Sequence, residues 1–154
     1  MDKVEKSIEV NVPIRTAYDQ WTQFESFPKF MEHVEVVKQL DDKHLLWRVK
    51  MGGKEEQYEA QIDEQVPDKK VSWHSVTGAV NAGTVTFKPD GDKTRVTLQM
   101  EYEPRGAVEN VGSDLGVVSK EVENDLKRFK EFIEHRGTET GAWRGEIRGS
   151  RVEH

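Results

Sequence analysis

The sequence predicts an α+β domain in which an antiparallel meander of strands is covered on its apolar face by one long C-terminal helix. Three observations carry this. Apolar and polar residues alternate in seven short runs, the period of a half-buried strand. Turn residues separate consecutive runs so closely that hairpins suffice: Asp41-Asp42-Lys43, Gly52-Gly53, Pro67-Asp68 and Asp90-Gly91-Asp92. Val111, Leu115, Val118, Val122, Leu126, Phe129 and Ile133 then follow at spacings of 4, 3, 4, 4, 3 and 4, which is one face of a helix.

The elements read in order as follows. Ile8, Val10 and Val12 alternate with Ser7, Glu9 and Asn11 in a first strand. Pro13 ends it and suits the first position of a helix, over which Ile14, Ala17, Tyr18 and Trp21 recur at helical spacing through residue 23. A second short helix over 25–31 carries Phe27, Phe30 and Met31. Six strands follow: Val34/Val36, Leu45/Trp47/Val49/Met51, Tyr58/Ala60/Ile62, Val71/Trp73, Val85/Phe87 and Val96/Leu98/Met100/Tyr102. The long helix ends at Gly137, which suits a C-terminal cap, and Gly112 and Gly116 weaken its start. Its apolar stripe needs cover, and the curled sheet is the only large apolar surface on offer.

At 154 residues the chain suits one domain. Hydrophobic and charged residues each make up 34%, with four Trp, six Phe and three Tyr as large core pieces. No apolar run is long enough to span a membrane, and Met1–Lys6 has no apolar segment of the secretory type. Cysteine is absent, which excludes disulfides, thiolate nucleophiles and Cys-based metal sites and suits a reducing cytoplasm. The net charge of -6 argues against nucleic acid and anionic membrane as partners. Nothing in the pattern speaks to oligomeric state.

Motifs for phosphate, dinucleotide, zinc-protease or serine-hydrolase chemistry are missing. His33, His44, His74, His135 and His154 are scattered, so no metal site and no bound cofactor are expected. Strand parity turns His74 away from Trp73 and toward water. It likewise turns Arg48 outward, where an acidic neighbour on the next strand is the ordinary partner. Of the acids Glu55, Glu56, Glu59, Asp63 and Glu64, parity puts only Glu56 and Glu64 on the side of Tyr58 and Ile62.

The same parity gathers Trp47, Met51, Tyr58, Trp73, Phe87, Met100 and Tyr102 on the inward faces of the strands, with Ser75 among them. A plain core is the simplest reading. Two details point instead to a cavity. The tyrosine hydroxyls need partners if buried. Small residues, Ala107, Gly112 and Gly116, stand where the helix begins and leave little side chain to fill the space. Leu115 and Val118 would face the same space from the helix.

The run Trp21-Thr22-Gln23-Phe24-Glu25-Ser26-Phe27-Pro28-Lys29-Phe30-Met31 resembles the START-like (SRPBCC) superfamily of polyketide cyclase/dehydrase and lipid-transport proteins. So do Gly78-Ala79-Val80-Asn81-Ala82-Gly83, Thr94-Arg95-Val96-Thr97-Leu98 and Asp125-Leu126-Lys127-Arg128-Phe129-Lys130. The ending Thr140-Gly141-Ala142-Trp143-Arg144-Gly145 is similar to that of bacterial members. The resemblance implies a helix-grip domain over residues 1–136, with a curved seven-stranded sheet around the helix; the glycine-rich stretch from Gly137 to Gly149 itself reads as an irregular tail over 137–154, pinned by Trp143 and Ile147. The resemblance also implies a cavity for an apolar or aromatic ligand such as a lipid, quinone or polyketide. The expected lining is Trp47, Met51, Tyr58, Trp73, Ser75, Phe87, Met100, Tyr102, Leu115 and Val118. Two alternatives remain: an aromatic polyketide cyclase or dehydratase with Tyr58 or Tyr102 as acid, and an interaction or stress-related protein without a small ligand. Fold resemblance alone does not choose among them.

Overall fold

The computed structural model describes residues 2–32, 34–51, 54–77, 81–102, 111–148 and 151–153, with residues 2, 51, 54, 102, 111–118 and 153 described by backbone alone. Strand β1 (Asp2–Val10) leads into α1 (Ile14–Trp21) and a 3₁₀ helix at Phe24–Lys29. Strands β2 (Val34–Gln39), β3 (His44–Met51), β4 (Lys54–Val66), β5 (Lys70–Ser75), β6 (Asn81–Asp90) and β7 (Lys93–Tyr102) follow, then α2 (Val111–Arg136). The sheet runs β1-β7-β6-β5-β4-β3-β2 with every neighbouring pair antiparallel. This is the α+β, helix-grip order expected.

Period-2 alternation explains the sheet's burial. Val10, Leu45, Trp47, Ala60, Ile62, Val71, Trp73, Val85, Phe87, Val96 and Leu98 are buried, while their strand neighbours are at least partly exposed. From α2, Val122, Leu126, Phe129 and Ile133 join the same core cluster. Aromatic rings from α1, the 3₁₀ segment and the C-terminal half of α2 pack together: Trp21 packs on Phe27, Phe30 and Phe129 at 5.2–5.7 Å. Two turns use left-handed backbone, at Asp68 (φ 61°) and Gly91 (φ 64°). Gly137 (φ 73°) ends α2, its N–H donating to the Ile133 carbonyl at 2.8 Å.

Four expectations need correction. β1 begins at Asp2 rather than near Ser7, burying Val4 as well. The second short helix is a 3₁₀ helix over Phe24–Lys29, and Phe30 and Met31 lie beyond it. A register shift between Val34 and Val36 turns Val36 to solvent and buries Val37 in its place. The tail is not wholly irregular, because it carries a small hairpin, β8 (Glu146–Arg148) and β9 (Arg151–Glu153), so nine strands are present among the described residues. The hairpin has a clear cause. β4 outruns β3, whose pairing stops at Gln61, and β8 covers the remaining edge by pairing Ile147 with Gln65.

Candidate functional site

The strand register brings part of the expected lining together. Trp47 on β3 lies directly across from Tyr58 on β4, and the two rings stack with centroids 6.1 Å apart and planes 4° from parallel. Phe27 from the 3₁₀ helix covers Trp47 at 5.6 Å. On the next strands Trp73, Gly83 and Met100 form one row across β5, β6 and β7. The Trp73 ring lies flat over Gly83, where a Cβ would come within 2.3 Å of it. Glycine at 83 is therefore what lets the indole lie down on the sheet.

Other members of the set sit differently. Phe87 packs edge-on against Tyr18 of α1 at 5.5 Å, beneath that helix. The Ser75 hydroxyl accepts from the Asn81 backbone N–H at 3.0 Å, so it serves the local chain path. Met51, Tyr102, Leu115 and Val118 have side chains outside the described residues, as do all atoms of Gly78–Val80 and Ala107. Backbone register still puts Tyr102 across from Asn81 and Met51 across from Lys54. Arg48 points outward and pairs with Glu55 at 3.3 Å, and His74 points outward to Asp63 at 2.7 Å.

The electrostatics of the face are those of an apolar site. Burial, with a smaller contribution from the Glu56 carboxylate, raises the Tyr58 phenol well above its usual range, so it stays a neutral O–H donor at pH 7. The Trp47 Nε1–H is buried and has no hydrogen-bond partner among the described residues. Asp125 on α2 is the residue that sequence reasoning passed over as a polar group. It is only 6% exposed, and burial pushes its carboxyl up to about 7, opposed by Arg128 and reinforced by Glu121 and Glu32. Arg128 spans to Glu32 at 2.5 Å and to Asp125 at 3.5 Å. The signal was there: Asp125 falls three residues after Val122 and four before Phe129, inside the apolar stripe.

A β-bulge hid a second polar group. Between Ile62 and Glu64 the register slips, which sends Glu64 outward across from Ser72 and turns Gln65 inward, 1% exposed, across from Val71. Simple alternation gave the reverse. A groove of about 230 Å³ lies on the outer face of the sheet, lined by Asp63, Ser72, Thr84, Gln99 and Glu101 among others. It is on the opposite side of the sheet from Trp47 and Tyr58. Among the described residues no three His, Asp or Glu side chains converge as metal ligands, and no helix is long and apolar enough to cross a membrane.

Comparison with known proteins agrees with this architecture. The chain is 50% identical over 149 residues to an uncharacterized 17.2 kDa protein from the melC2-rnhH intergenic region of Streptomyces lincolnensis, covering 96% of this chain and 99% of that one. The crystal structure of a START superfamily protein from Mycobacterium smegmatis superimposes with a TM-score of 0.69 at 16% identity, covering 87% of this chain and 95% of that one. That of the Zhui aromatase/cyclase from a Streptomyces species does so with a TM-score of 0.75 at 14% identity, covering 92% and 99%. At such identities the two structures speak to the fold alone. The family described as polyketide cyclase / dehydrase and lipid transport matches residues 10–131, and the chain belongs to that START-like family.

Proposed function

We propose that the protein binds an apolar or aromatic small molecule, of the lipid, quinone or polyketide-like kind, between the inner face of the sheet and α2. The observation that carries this reading is the Trp47–Tyr58 stack, two large rings held parallel on the face that looks toward the helix. Trp73 and Met100 lie on the same sheet face by strand register, and the proposed lining also takes in Met51, Tyr102, Leu115 and Val118. Membership of a family whose description includes lipid transport supports the same reading. No cofactor or metal is needed for it, and a reducing cytoplasm suits the cysteine-free chain.

The test is a titration with a fluorescent fatty acid and with a naphthoquinone, read by quenching of tryptophan emission. Saturable quenching is expected for at least one class. Failure to saturate across a varied panel of lipids, quinones and polyphenols would overturn the reading.

A second reading, an aromatic polyketide cyclase or dehydratase with Tyr58 as the acid, is supported by the family description, which includes polyketide cyclase / dehydrase, although burial makes the Tyr58 phenol a weaker acid than a free tyrosine. Tyr58→Phe separates the two. In a binder it weakens affinity by about 0.5–1.5 kcal/mol, the net worth of one hydrogen bond. In an enzyme using the phenol as general acid, turnover falls roughly 10²–10⁴-fold.

A further inference from the structure

The end of α1 and the edge of β4 hold the C-terminal tail as a receptor holds an extended peptide. Asp19, Gln20 and Thr22 are polar side chains buried at the end of a helix of eight residues, and the tail supplies partners to each. The Gln20 amide reads the tail's main chain, accepting from the Thr140 N–H at 2.9 Å while donating to Thr140 Oγ1 at 3.1 Å. Thr22 Oγ1 accepts from the Trp143 N–H at 3.1 Å, and the Arg144 guanidinium forks between Asp19 and Asp68. Farther on, Ile147 is fully enclosed, and its strand β8 lies along the part of β4 that β3 leaves uncovered. Main-chain capture, a charged fork, an apolar anchor and an added strand are the devices of peptide recognition.

One short connection joins this peptide to its own body. α2 stays in the core as far as Ile133, and only residues 137–139 separate its last residue from the first anchor at Thr140. Gly137 makes the reversal with φ 73°, left-handed backbone that other residues adopt at a cost. From this arrangement we infer that the tail exchanges between two copies of the chain, giving a dimer in which each α1 and β4 holds the tail of the other copy. A second copy is the partner that fits, because the surface is matched residue by residue to this tail. Every contact of the closed form recurs in the exchanged form, and only the hinge differs: Gly137 leaves the left-handed region and α2 runs on toward the other copy. Exchange replaces an intramolecular contact by an intermolecular one, so the dimer grows with concentration and the closed monomer prevails when dilute. The inference is independent of what the inner face of the sheet binds.

The experiment uses the full chain, whose lack of cysteine makes engineered thiols specific reporters. A Cβ at position 141 would lie 2.9 Å from Gln23 Cδ, so Gln23→Cys and Gly141→Cys place two thiols on opposite sides of the docked tail. The two single variants are mixed at about 1 mM, oxidised, and separated without reductant. A disulfide-linked heterodimer is expected in excess over both homodimers, and dilution to about 10 μM before mixing is expected to abolish it. Light scattering on the wild-type protein and on Gly137→Ala supplies a second readout. The added methyl strains the closed hinge alone, so the association constant is expected to rise about 5-fold or more. A wild-type protein that is wholly monomeric at about 1 mM would overturn the inference, and that result needs no variant. A dimer whose association ignores Gly137→Ala, or whose mixed cysteine variants give no excess of heterodimer, would also overturn it, because its two copies then meet elsewhere.

Discussion

Arg144, near the C-terminus, donates from Nη1 to the Asp19 carboxylate of α1 at 2.5 Å, across 125 residues of sequence. Asp19 is 1% exposed, so this is a nearly buried ion pair. The guanidinium reaches Asp68 in the β4–β5 turn with its other nitrogen at 2.9 Å and lies over the Tyr18 ring at 5.5 Å. Around it the tail is laced to α1. Thr140 exchanges two hydrogen bonds with the Gln20 side chain, and the Trp143 N–H donates to Thr22 Oγ1. One residue therefore ties the last segment to two distant elements.

Removing that tie is expected to cost stability. Arg144→Met leaves Asp19 buried without its main counter-charge, and urea unfolding is expected to show a loss of about 2–3 kcal/mol, somewhat below that of a fully enclosed pair because Arg144 keeps some solvent contact. The double variant Asp19→Asn/Arg144→Met is expected to lose less than the sum of the single changes. Strict additivity would show that the pair is not coupled.

Gly83→Ala tests the seat of Trp73. The added methyl would collide with the indole at 2.3 Å, so the ring must tilt or the strands must part. A loss of roughly 1–3 kcal/mol and a changed tryptophan emission spectrum are expected. Unchanged stability and emission would mean that the indole does not lie on Gly83.

Asp125 gives a pH dependence with a definite sign. Its folded carboxyl titrates at about 7, above the ordinary 3.8, so the folded state holds the proton more tightly than the unfolded chain does. Stability from this group is full below about pH 4 and declines as the pH rises through 7. Asp125→Asn is expected to be the more stable protein at pH 8, by about 1 kcal/mol or more, since each tenfold difference in proton affinity is worth about 1.4 kcal/mol. The advantage shrinks toward acid pH, where the carboxyl is neutral in both states. Denaturant midpoints measured at mildly acidic pH and at pH 8 check this.

Chelation is expected to leave the protein unaffected. The described residues bring together no set of metal ligands, so EDTA should not move the thermal midpoint. A fall of several degrees would refute the metal-free reading.

The elements and their order were legible in the residues themselves. Alternation at Leu45/Trp47/Val49 and at Val96/Leu98 needs only local pleating, and the 122-126-129-133 stripe needs only helical periodicity, so a one-dimensional pattern suffices for both. The outward aims of Arg48 and His74 followed from the same rule. What the pattern did not contain was any position where that rule is broken or where distant segments meet. The bulges after Val34 and Ile62 shift parity, exposing Val36 and burying Gln65, and a bulge is set by pairing with a neighbouring strand rather than by the strand's own sequence. Asp125 looked like one more polar residue on an amphipathic helix; its burial depends on the helix's packed flank. The sequence marked Trp143 and Ile147 as the residues that pin the tail, but not what Gly141, Trp143 and Arg144 meet, because their partners Gln23, Thr22 and Asp19 lie about 120 residues away and only the folded chain brings them into contact.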